Sequence, residues 1–348
     1  MDWKALLWSY ADDRNRMEAN YDGAALGIGL DDERYRKLQK ERIVRLKEQH
    51  EERRLLPLTR EIRLRDFRAE PLGSGLKTTL RLHHRFTYSL QGVKHVEERI
   101  ENERLYLVPY RGGWRIAAIE PDQGDAHPPV STGGERGPAW GSLIRLGGIP
   151  AQPEVVIEKD NRGTGLVHWP NSEFSLSRKA AAYDREKARE YADRYWEKGN
   201  PAFLEFEVDC SNYVSQCIFA GGAPMNYTNR RDSGWWYGGM KGNQENWSYS
   251  WAVADSLRRY LSASRSSGLR AVRVDTPQEL EPGDVISYSW KGDGRYGHST
   301  VVTARDEAGM PLVNAHTVSS KHRYWDYRDS YAWTENARYL FFHITDLF

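Results

Sequence analysis

Cysteine is scarce in this chain. Only Cys210 and Cys217 occur among its 348 residues. On one predicted helix, two cysteines seven residues apart lie about 10 Å from each other, which is too far for a disulfide. The sequence therefore predicts two free thiols, which fits a reducing compartment.

Long apolar runs and an excess of one charge are absent as well. No stretch of about 18 apolar residues occurs, and Met1–Trp8 lacks the apolar core of a secretory signal. We therefore expect no integral membrane segment and a cytoplasmic location, unless the protein is processed or exported by a nonstandard route. The 50 basic and 49 acidic side chains nearly cancel, so a nucleic-acid partner or an anionic membrane has no electrostatic support.

The length of the chain favours two domains, because one hydrophobic core rarely serves 348 residues. Between Pro121 and Pro153 the sequence contains six prolines and seven glycines, a composition that is typical of linkers. We therefore predict an α+β domain over residues 1–120, a linker and irregular segment over residues 121–177, and a second domain over residues 178–348.

Residues 1–120 combine helical and strand patterns. The apolar residues of Trp3–Tyr10 have the spacing of an amphipathic helix, and Asp31–Arg54 predicts a long helix with a solvated charged face. From Leu80 to Leu90 apolar and polar residues alternate, which indicates a strand, and Gln91-Gly92 predicts a turn into the next strand. The meander ends in Gly112–Ile116 and resembles the nuclear-transport-factor-like and cystatin-like folds. That resemblance implies a domain for oligomerisation or partner binding.

The second domain is predicted to begin with helices and to end with an antiparallel sheet. Tyr183–Lys198 predicts a helix that ends at Gly199, and the next helix carries both cysteines and ends at Gly221-Gly222. Strand patterns follow later in the chain, at residues 285–288, 299–304, 311–317 and 339–344. This order indicates an α+β fold.

Cys210 lies at the first turn of its predicted helix. Unpaired backbone N–H groups and the helix dipole favour a thiolate at that position and so lower the pKa of a thiol. Cys217 lies two turns later on the predicted packing face. We interpret Cys210 as a nucleophile, Asp209 and Ser211 beside it as substrate contacts, and Cys217 as part of the core.

A nucleophilic cysteine needs a base, and the base needs an orienting group. His298 follows a glycine at the start of a predicted strand, from which its ring can face the cysteine helix. Asn314 and His316 share one face of the neighbouring strand, and either residue can hold His298 in the correct tautomer. A zinc site of Cys210, His298 and His316 is an alternative, but C-x-x-C and H-x-x-x-H spacings are absent. We expect neither a metal nor a cofactor.

The segment Asp232–Trp251 is rich in aromatic residues. Trp235, Trp236 and Trp251 stand there among glycines and asparagines. Aromatic faces suit sugar rings and peptide side chains, so we interpret these tryptophans as a wall of the substrate cleft. Packing within a loop-rich domain explains them equally well.

Residues 180–348 carry a series of motifs: Tyr183-Asp184-Arg185, Asn200-Pro201, Asp209–Cys217, Gly221-Gly222, Trp235-Trp236, Gly283-Asp284, Gly297-His298-Ser299 and Ala315-His316-Thr317. In their order they resemble the "putative amidase domain" family of Gram-positive bacteria. The resemblance implies a papain-like fold similar to the NlpC-type and CHAP-type hydrolases, which cut peptide or amide bonds in cell-wall peptidoglycan. It also implies Cys210 as nucleophile, His298 as base, and His316 in preference to Asn314 as the orienting residue.

Residues and resemblance together predict a cysteine amidase or peptidase. Its expected substrate is a peptide or a peptidoglycan fragment, with the bond that it cuts in a stem peptide. The competing interpretation is a catalytically silent protein, in which the papain-like domain and the N-terminal domain serve binding or assembly.

Overall fold

Residues 2–27, 29–121, 124–126, 182–241 and 244–348 are described by the computed structural model of the chain. Two helices come first, and an antiparallel four-strand meander follows them. These elements are α1 (Trp3–Asn20), α2 (Glu33–Glu52), β1 (Leu56–Leu72), β2 (Gly75–Leu90), β3 (Val93–Tyr110) and β4 (Gly113–Glu120). The predicted combination of helices with an antiparallel sheet is confirmed, whereas the likeness to nuclear-transport-factor-like or cystatin-like folds stays a prediction.

Tight turns fix the register of this meander. Gln91-Gly92 joins β2 to β3, and Arg111-Gly112 joins β3 to β4. All four residues have positive φ, between 47° and 88°, which is the conformation of the two-residue turns that suit the twist of a hairpin. On β2 the alternating apolar side chains face the helices, where Leu80 and Leu82 are buried in one core with residues of α1 and α2.

The second half of the described chain contains four helices and eight strands. The helices are α3 (Arg185–Tyr195), α4 (Cys210–Ala220), α5 (Tyr249–Ala252) and α6 (Ala254–Ser262). The strands are β5 (Tyr237–Lys241), β6 (Gln244–Trp247), β7 (Ala271–Val274), β8 (Val285–Ser289), β9 (His298–Arg305), β10 (Pro311–Ala315), β11 (Ser320–Tyr324) and β12 (Arg338–Ile344). Helix α4 packs on β9. The first residue of the helix, Cys210, therefore lies near the strand that begins at His298.

One antiparallel sheet runs through both halves of the chain. Its order is β1-β2-β3-β11-β10-β9-β8-β12-β7, and β4 also pairs with β3. Strand β3 accommodates two neighbours on one edge because it is 18 residues long. Its residues Arg104–Tyr110 pair with β4, while Glu98 and Arg99 pair with β11. The ten strands therefore join the N-terminal meander to the C-terminal half of the protein.

Buried charges accompany this connection, and we call them the junction cluster. It comprises Arg14, Glu18, Arg42, Arg99, Glu101, Glu103, Asp125, Arg323 and Asp329, none of which is more than 5% exposed. Arg99 of β3 donates from Nη1 to Asp329 Oδ2 at 2.9 Å, and Arg42 of α2 donates from Nε to the Asp329 backbone oxygen at 2.7 Å. Since buried ions are tolerated only when they are paired, these bonds tie α2 and β3 to the C-terminal half.

The junction cluster corrects one expectation. The charged segment Asp31–Arg54 was expected to present a solvated face, yet Gln39, Arg42 and Gln49 of α2 are buried. Each of them hydrogen-bonds to a residue between Asp326 and Tyr331. The solvated-face prediction is therefore wrong for this side of the helix.

The predicted domain boundaries remain a prediction. Most of the linker over residues 121–177 lies outside the described residues, of which only 121 and 124–126 fall in that range.

Candidate active site

Cys210 is the first residue of α4, and its side chain points into the protein. The thiol is buried, with 1% of the residue exposed. The Ser211 hydroxyl oxygen lies 3.8 Å from the Cys210 sulfur, and α4 packs on β9. Because β9 begins at His298, this packing brings the helix end that carries the thiol to the strand that carries the imidazole.

Burial dominates the protonation of this thiol. It raises the pKa of Cys210 to about 11, although the Ser299 N–H and the Ser211 hydroxyl both favour the thiolate. The sequence predicted a lowered pKa from the helix N-terminus, and in the structure desolvation outweighs that effect. In the closed state that the structure shows, Cys210 is therefore a neutral thiol at pH 7.

His298 is fully buried at the start of β9. Its ring is surrounded by those of Tyr288, Trp290 and Tyr327, with ring centroids 5.4, 5.9 and 5.4 Å away. Burial lowers the pKa of His298 to about 4 against the opposing charge of a nearby carboxylate, that of Asp125. The imidazole is therefore neutral at pH 7 and able to accept a proton.

Both ring nitrogens of His298 lack a hydrogen-bond partner among the described residues. Asp125 Oδ1, a carboxylate oxygen, lies 3.7 Å from His298 Nε2. That oxygen also has no hydrogen-bond partner in the described parts of the chain. Two unpaired polar atoms therefore face each other inside the protein, an arrangement that is rare in folded proteins away from functional sites.

Asp125 is held rigidly in this position. Its Oδ2 accepts hydrogen bonds from Arg323 Nη1 at 3.2 Å and from Ser330 Oγ at 2.9 Å. Its backbone oxygen accepts from Trp290 Nε1. Asp125 could not be predicted from the sequence, because Gly124-Asp125-Ala126 belongs to the glycine- and proline-rich segment and carries no recognisable motif.

The two residues predicted to orient His298 make other contacts in the structure. His316 Nδ1 lies 2.7 Å from Asp209 Oδ2, and its Nε2 lies 2.6 Å from the Tyr195 backbone oxygen. The Asn314 amide donates to Asp193 Oδ1 at 3.0 Å, and its oxygen accepts from Thr303 Oγ1 at 2.9 Å. Neither residue hydrogen-bonds to His298.

Asp209 and Ser211 flank the nucleophile but are themselves buried, at 4% and 0% exposed. Asp209 Oδ1 accepts from the Phe206 backbone N–H and from the Asn212 amide, at 3.0 and 2.8 Å. With His316 on its other oxygen, Asp209 fixes the chain that enters α4. The Ser211 hydroxyl donates to Ser299 Oγ at 3.4 Å, which links α4 to β9.

The three tryptophans predicted to line a cleft have no exposed surface in this structure. Trp235 Nε1 donates to Ser215 Oγ at 3.0 Å, and Trp251 Nε1 donates to Asn212 Oδ1 at 2.8 Å. Trp236 Nε1 donates to the Ser233 backbone oxygen at 3.0 Å. In this state Trp235 and Trp251 pack in the core around α4, Trp236 packs against Tyr227, and a ligand in solvent cannot touch the three indoles.

The described residues offer neither a metal-binding cluster nor a membrane-spanning helix. They contain no group of three or more His, Cys, Asp or Glu side chains that is arranged to hold a metal ion, so Cys210, His298 and His316 do not form a zinc site here. Within the same described ranges, no helix combines the length and apolarity needed to cross a membrane.

The part of the chain that contains Cys210 and His298 is similar to known proteins. The family described as "Putative amidase domain" matches residues 182–342, which include Cys210 and His298. The "Uncharacterized protein YhbB" of Bacillus subtilis (strain 168) is 50% identical over 188 residues, or 53% of this chain. The chain spans 58% of the length of that curated relative. No solved structure matches the chain.

Proposed function

We propose that this protein is a cysteine amidase or peptidase. Cys210 Sγ attacks the carbonyl carbon of the amide while His298 accepts the thiol proton. The tetrahedral intermediate collapses to a thioester as His298 passes this proton to the leaving amine. Water then hydrolyses the thioester with His298 as the base, which releases the acid and restores the thiol.

One observation carries this proposal. The only cysteine at a helix N-terminus in the described chain begins the helix that packs on β9, and β9 begins with a buried histidine whose ring nitrogens have no hydrogen-bond partner among the described residues. Backbone N–H groups at the start of α4 are suited to stabilise the oxyanion of the intermediate, because the first N–H groups of a helix have no intrahelical partner. The match of this region to an amidase domain supports the same chemistry.

We further propose that the substrate is a peptide amide of the bacterial cell wall, namely a peptidoglycan stem peptide. The support is the likeness of the motif series to NlpC-type and CHAP-type hydrolases, from which we also infer a papain-like arrangement of α4 against the sheet. The antiparallel order of β8, β9 and β10 beside α4 is compatible with that arrangement.

The two cysteines of α4 provide a matched pair of variants. We expect Cys210→Ala to lower kcat by at least about 10⁴-fold on purified sacculi or stem peptides, with products identified by mass spectrometry. Cys217→Ala removes a thiol from the same helix, seven residues away on the packing face, and is expected to keep the activity. Full activity of Cys210→Ala would refute the nucleophile, whatever the substrate.

A second candidate is a catalytically silent binding or assembly protein. The observation in its favour is the closure of the site, since Cys210 and His298 are 1% and 0% exposed and both are neutral at pH 7. Under this proposal the wild-type protein binds sacculi without releasing products, and Cys210→Ala binds equally well. Co-sedimentation with sacculi, followed by mass spectrometry of the supernatant, separates the two candidates.

A further inference from the structure

We infer that Asp125 is the positioning residue of His298. Its carboxylate holds the imidazole with the proton on Nε2, so that Nδ1 is free to take the proton of the Cys210 thiol. This inference rests on the proposed function in one respect only: the proposed function supplies the thiol proton that His298 accepts. It assigns a role to a residue that lies outside the region matched by the amidase family.

Asp125 and His298 each direct a polar atom without a hydrogen-bond partner in the described chain toward the other. Asp125 Oδ1 and His298 Nε2 are 3.7 Å apart, both are buried, and neither has another hydrogen-bond partner in the described chain. A carboxylate oxygen only accepts, so the proton of this pair belongs on Nε2. Catalytic hydrogen bonds are often long before substrate binds, and a contraction of less than 1 Å makes this a normal bond.

The two residues predicted to orient His298 are bonded to other groups. Asn314 is engaged by Asp193 and Thr303, and His316 by Asp209 and Tyr195. Among the described residues, the charged groups that act on His298 are Asp125 and Arg323, and Arg323 carries the wrong sign to accept a proton. Asp125 is therefore the acceptor that the described structure offers to the imidazole.

A series of buried charges holds Asp125 in its orientation. Arg323, which donates to Asp125 Oδ2, also donates to Asp329 Oδ1 through Nη2 at 2.9 Å. Asp329 in turn accepts from Arg99 of β3 at 2.9 Å. A buried series of alternating charges thus leads from the N-terminal meander to the carboxylate beside His298. Removal of one member costs more than an ordinary hydrogen bond, so the carboxylate has little freedom to turn away.

This geometry makes Asp125→Asn an informative variant. Oδ2 receives two donors, from Arg323 and Ser330, so the asparagine oxygen must take that place. The asparagine NH₂ group must then occupy the position of Oδ1 and point at His298 Nε2. Since an NH₂ group only donates, Nε2 must lose its proton and Nδ1 must carry it, which is the tautomer that cannot accept the thiol proton.

The test is ¹⁵N NMR of the histidine side chains in the full-length protein, with His298 assigned by His298→Gln. We expect the Nε2–H tautomer in the wild type and the Nδ1–H tautomer in Asp125→Asn, with a fall in kcat of about 10³–10⁴-fold at little change in KM. Asp326→Asn is the matched control, because Asp326 is also a buried aspartate and burial raises its pKa to about 6, which favours a neutral side chain there. It should retain the Nε2–H tautomer.

Three results would overturn the inference: an Nδ1–H tautomer in the wild type, an unchanged tautomer in Asp125→Asn, or an inverted tautomer with wild-type kcat. The wild-type spectrum keeps the test decisive even if Asp125→Asn does not fold. If the wild type hydrolyses no amide while the tautomer inverts as expected, the proposed function fails and the positioning of His298 by Asp125 stands.

Discussion

The protonation of Cys210 leads to a prediction about its reactivity toward iodoacetamide. The background is Cys217→Ala, so that every alkylation is read at Cys210. With burial raising the pKa of Cys210 to about 11, the thiolate fraction at pH 7 is about 10⁻⁴, against about 3% for an ordinary thiol with a pKa near 8.5. The more basic thiolate is intrinsically more nucleophilic, which recovers about tenfold. The net expectation is alkylation about 30-fold slower than that of a small free thiol, before any steric protection.

The assay follows carbamidomethylation by mass spectrometry from pH 6 to pH 10. We expect the logarithm of the rate to rise linearly with pH and to show no plateau below about pH 10. The same protein in urea should react like an ordinary thiol, which controls for the reagent. A plateau at or below pH 8.5, or a rate at pH 7 equal to that of glutathione, would refute the reasoning. It would mean that the helix N-terminus outweighs desolvation at Cys210, as the sequence alone predicted.

Catalysis requires the closed site to open. Burial keeps both the thiol and the imidazole neutral, so the closed site contains no preformed thiolate. A substrate must open the site to reach Cys210, and the water or polar groups admitted then reduce the desolvation that causes both pKa shifts. The two shifts are therefore properties of the closed state, and slow alkylation of the free protein is compatible with fast acylation by a bound substrate.

Three further predictions concern pH, the junction cluster and the aromatic core. Because His298 must be neutral to act as a base and its pKa is about 4, kcat/KM should fall only as the pH drops through about 4; a limb near pH 6.5 would contradict this. Asp329→Asn should lower the free energy of unfolding by about 3–5 kcal/mol in urea, whereas Asp232→Asn, at an exposed aspartate, should leave it unchanged; equal losses would show that the buried charges contribute nothing special. Trp251→Phe leaves Asn212 Oδ1 without its indole donor and should cost about 1–3 kcal/mol at unchanged KM, whereas a raised KM at unchanged stability would assign Trp251 to the substrate cleft.

The stabilisation by Asp329 should also depend on pH. Burial by itself would raise the pKa of this carboxyl, but the guanidiniums of Arg323, Arg99 and Arg42 outweigh it and hold the pKa at about 2. A depressed folded-state pKa contributes stability above the unfolded value near 4, and this contribution is lost as the pH falls toward 2. Asp329→Asn should therefore lose less stability than the wild type over that range, which urea titrations at pH 4 and pH 2.5 would measure.

Local patterns were sufficient to predict much of the fold. The alternation in Leu80–Leu90 gave the strand and its buried face, and Gln91-Gly92 gave the turn, because both depend on neighbours in sequence. Strand β11 was not predicted, since Ser320–Tyr324 has no alternation of apolar residues. Its position depends on pairing with β3 and β10, which are distant in sequence or separated from it by a turn.

Sequence patterns also fail to predict which charged side chains are buried. A glutamate–arginine-rich helix is ordinarily solvated, and nothing in the sequence of α2 distinguishes Arg42 from its exposed neighbours. Arg42 is buried because Glu18 and Asp329 reach it from other elements. For the same reason a single sequence points to Cys210 and His298, whose residue types and local context carry their chemistry, and not to Asp125.

The position of Asp125 and Arg99 changes how the amidase-like region should be understood. Residues 182–342 contain the thiol, the imidazole and Arg323, but the carboxylate that faces the imidazole lies before them in the chain. Without Asp125 and Arg99, Arg323 would lose one buried counter-charge and Asp329 one buried donor. Without the meander, β11 would lose β3 as its neighbour and expose an unpaired edge. The N-terminal helices and meander are therefore a structural part of the candidate site, because the charges that fix the surroundings of His298 begin on β3.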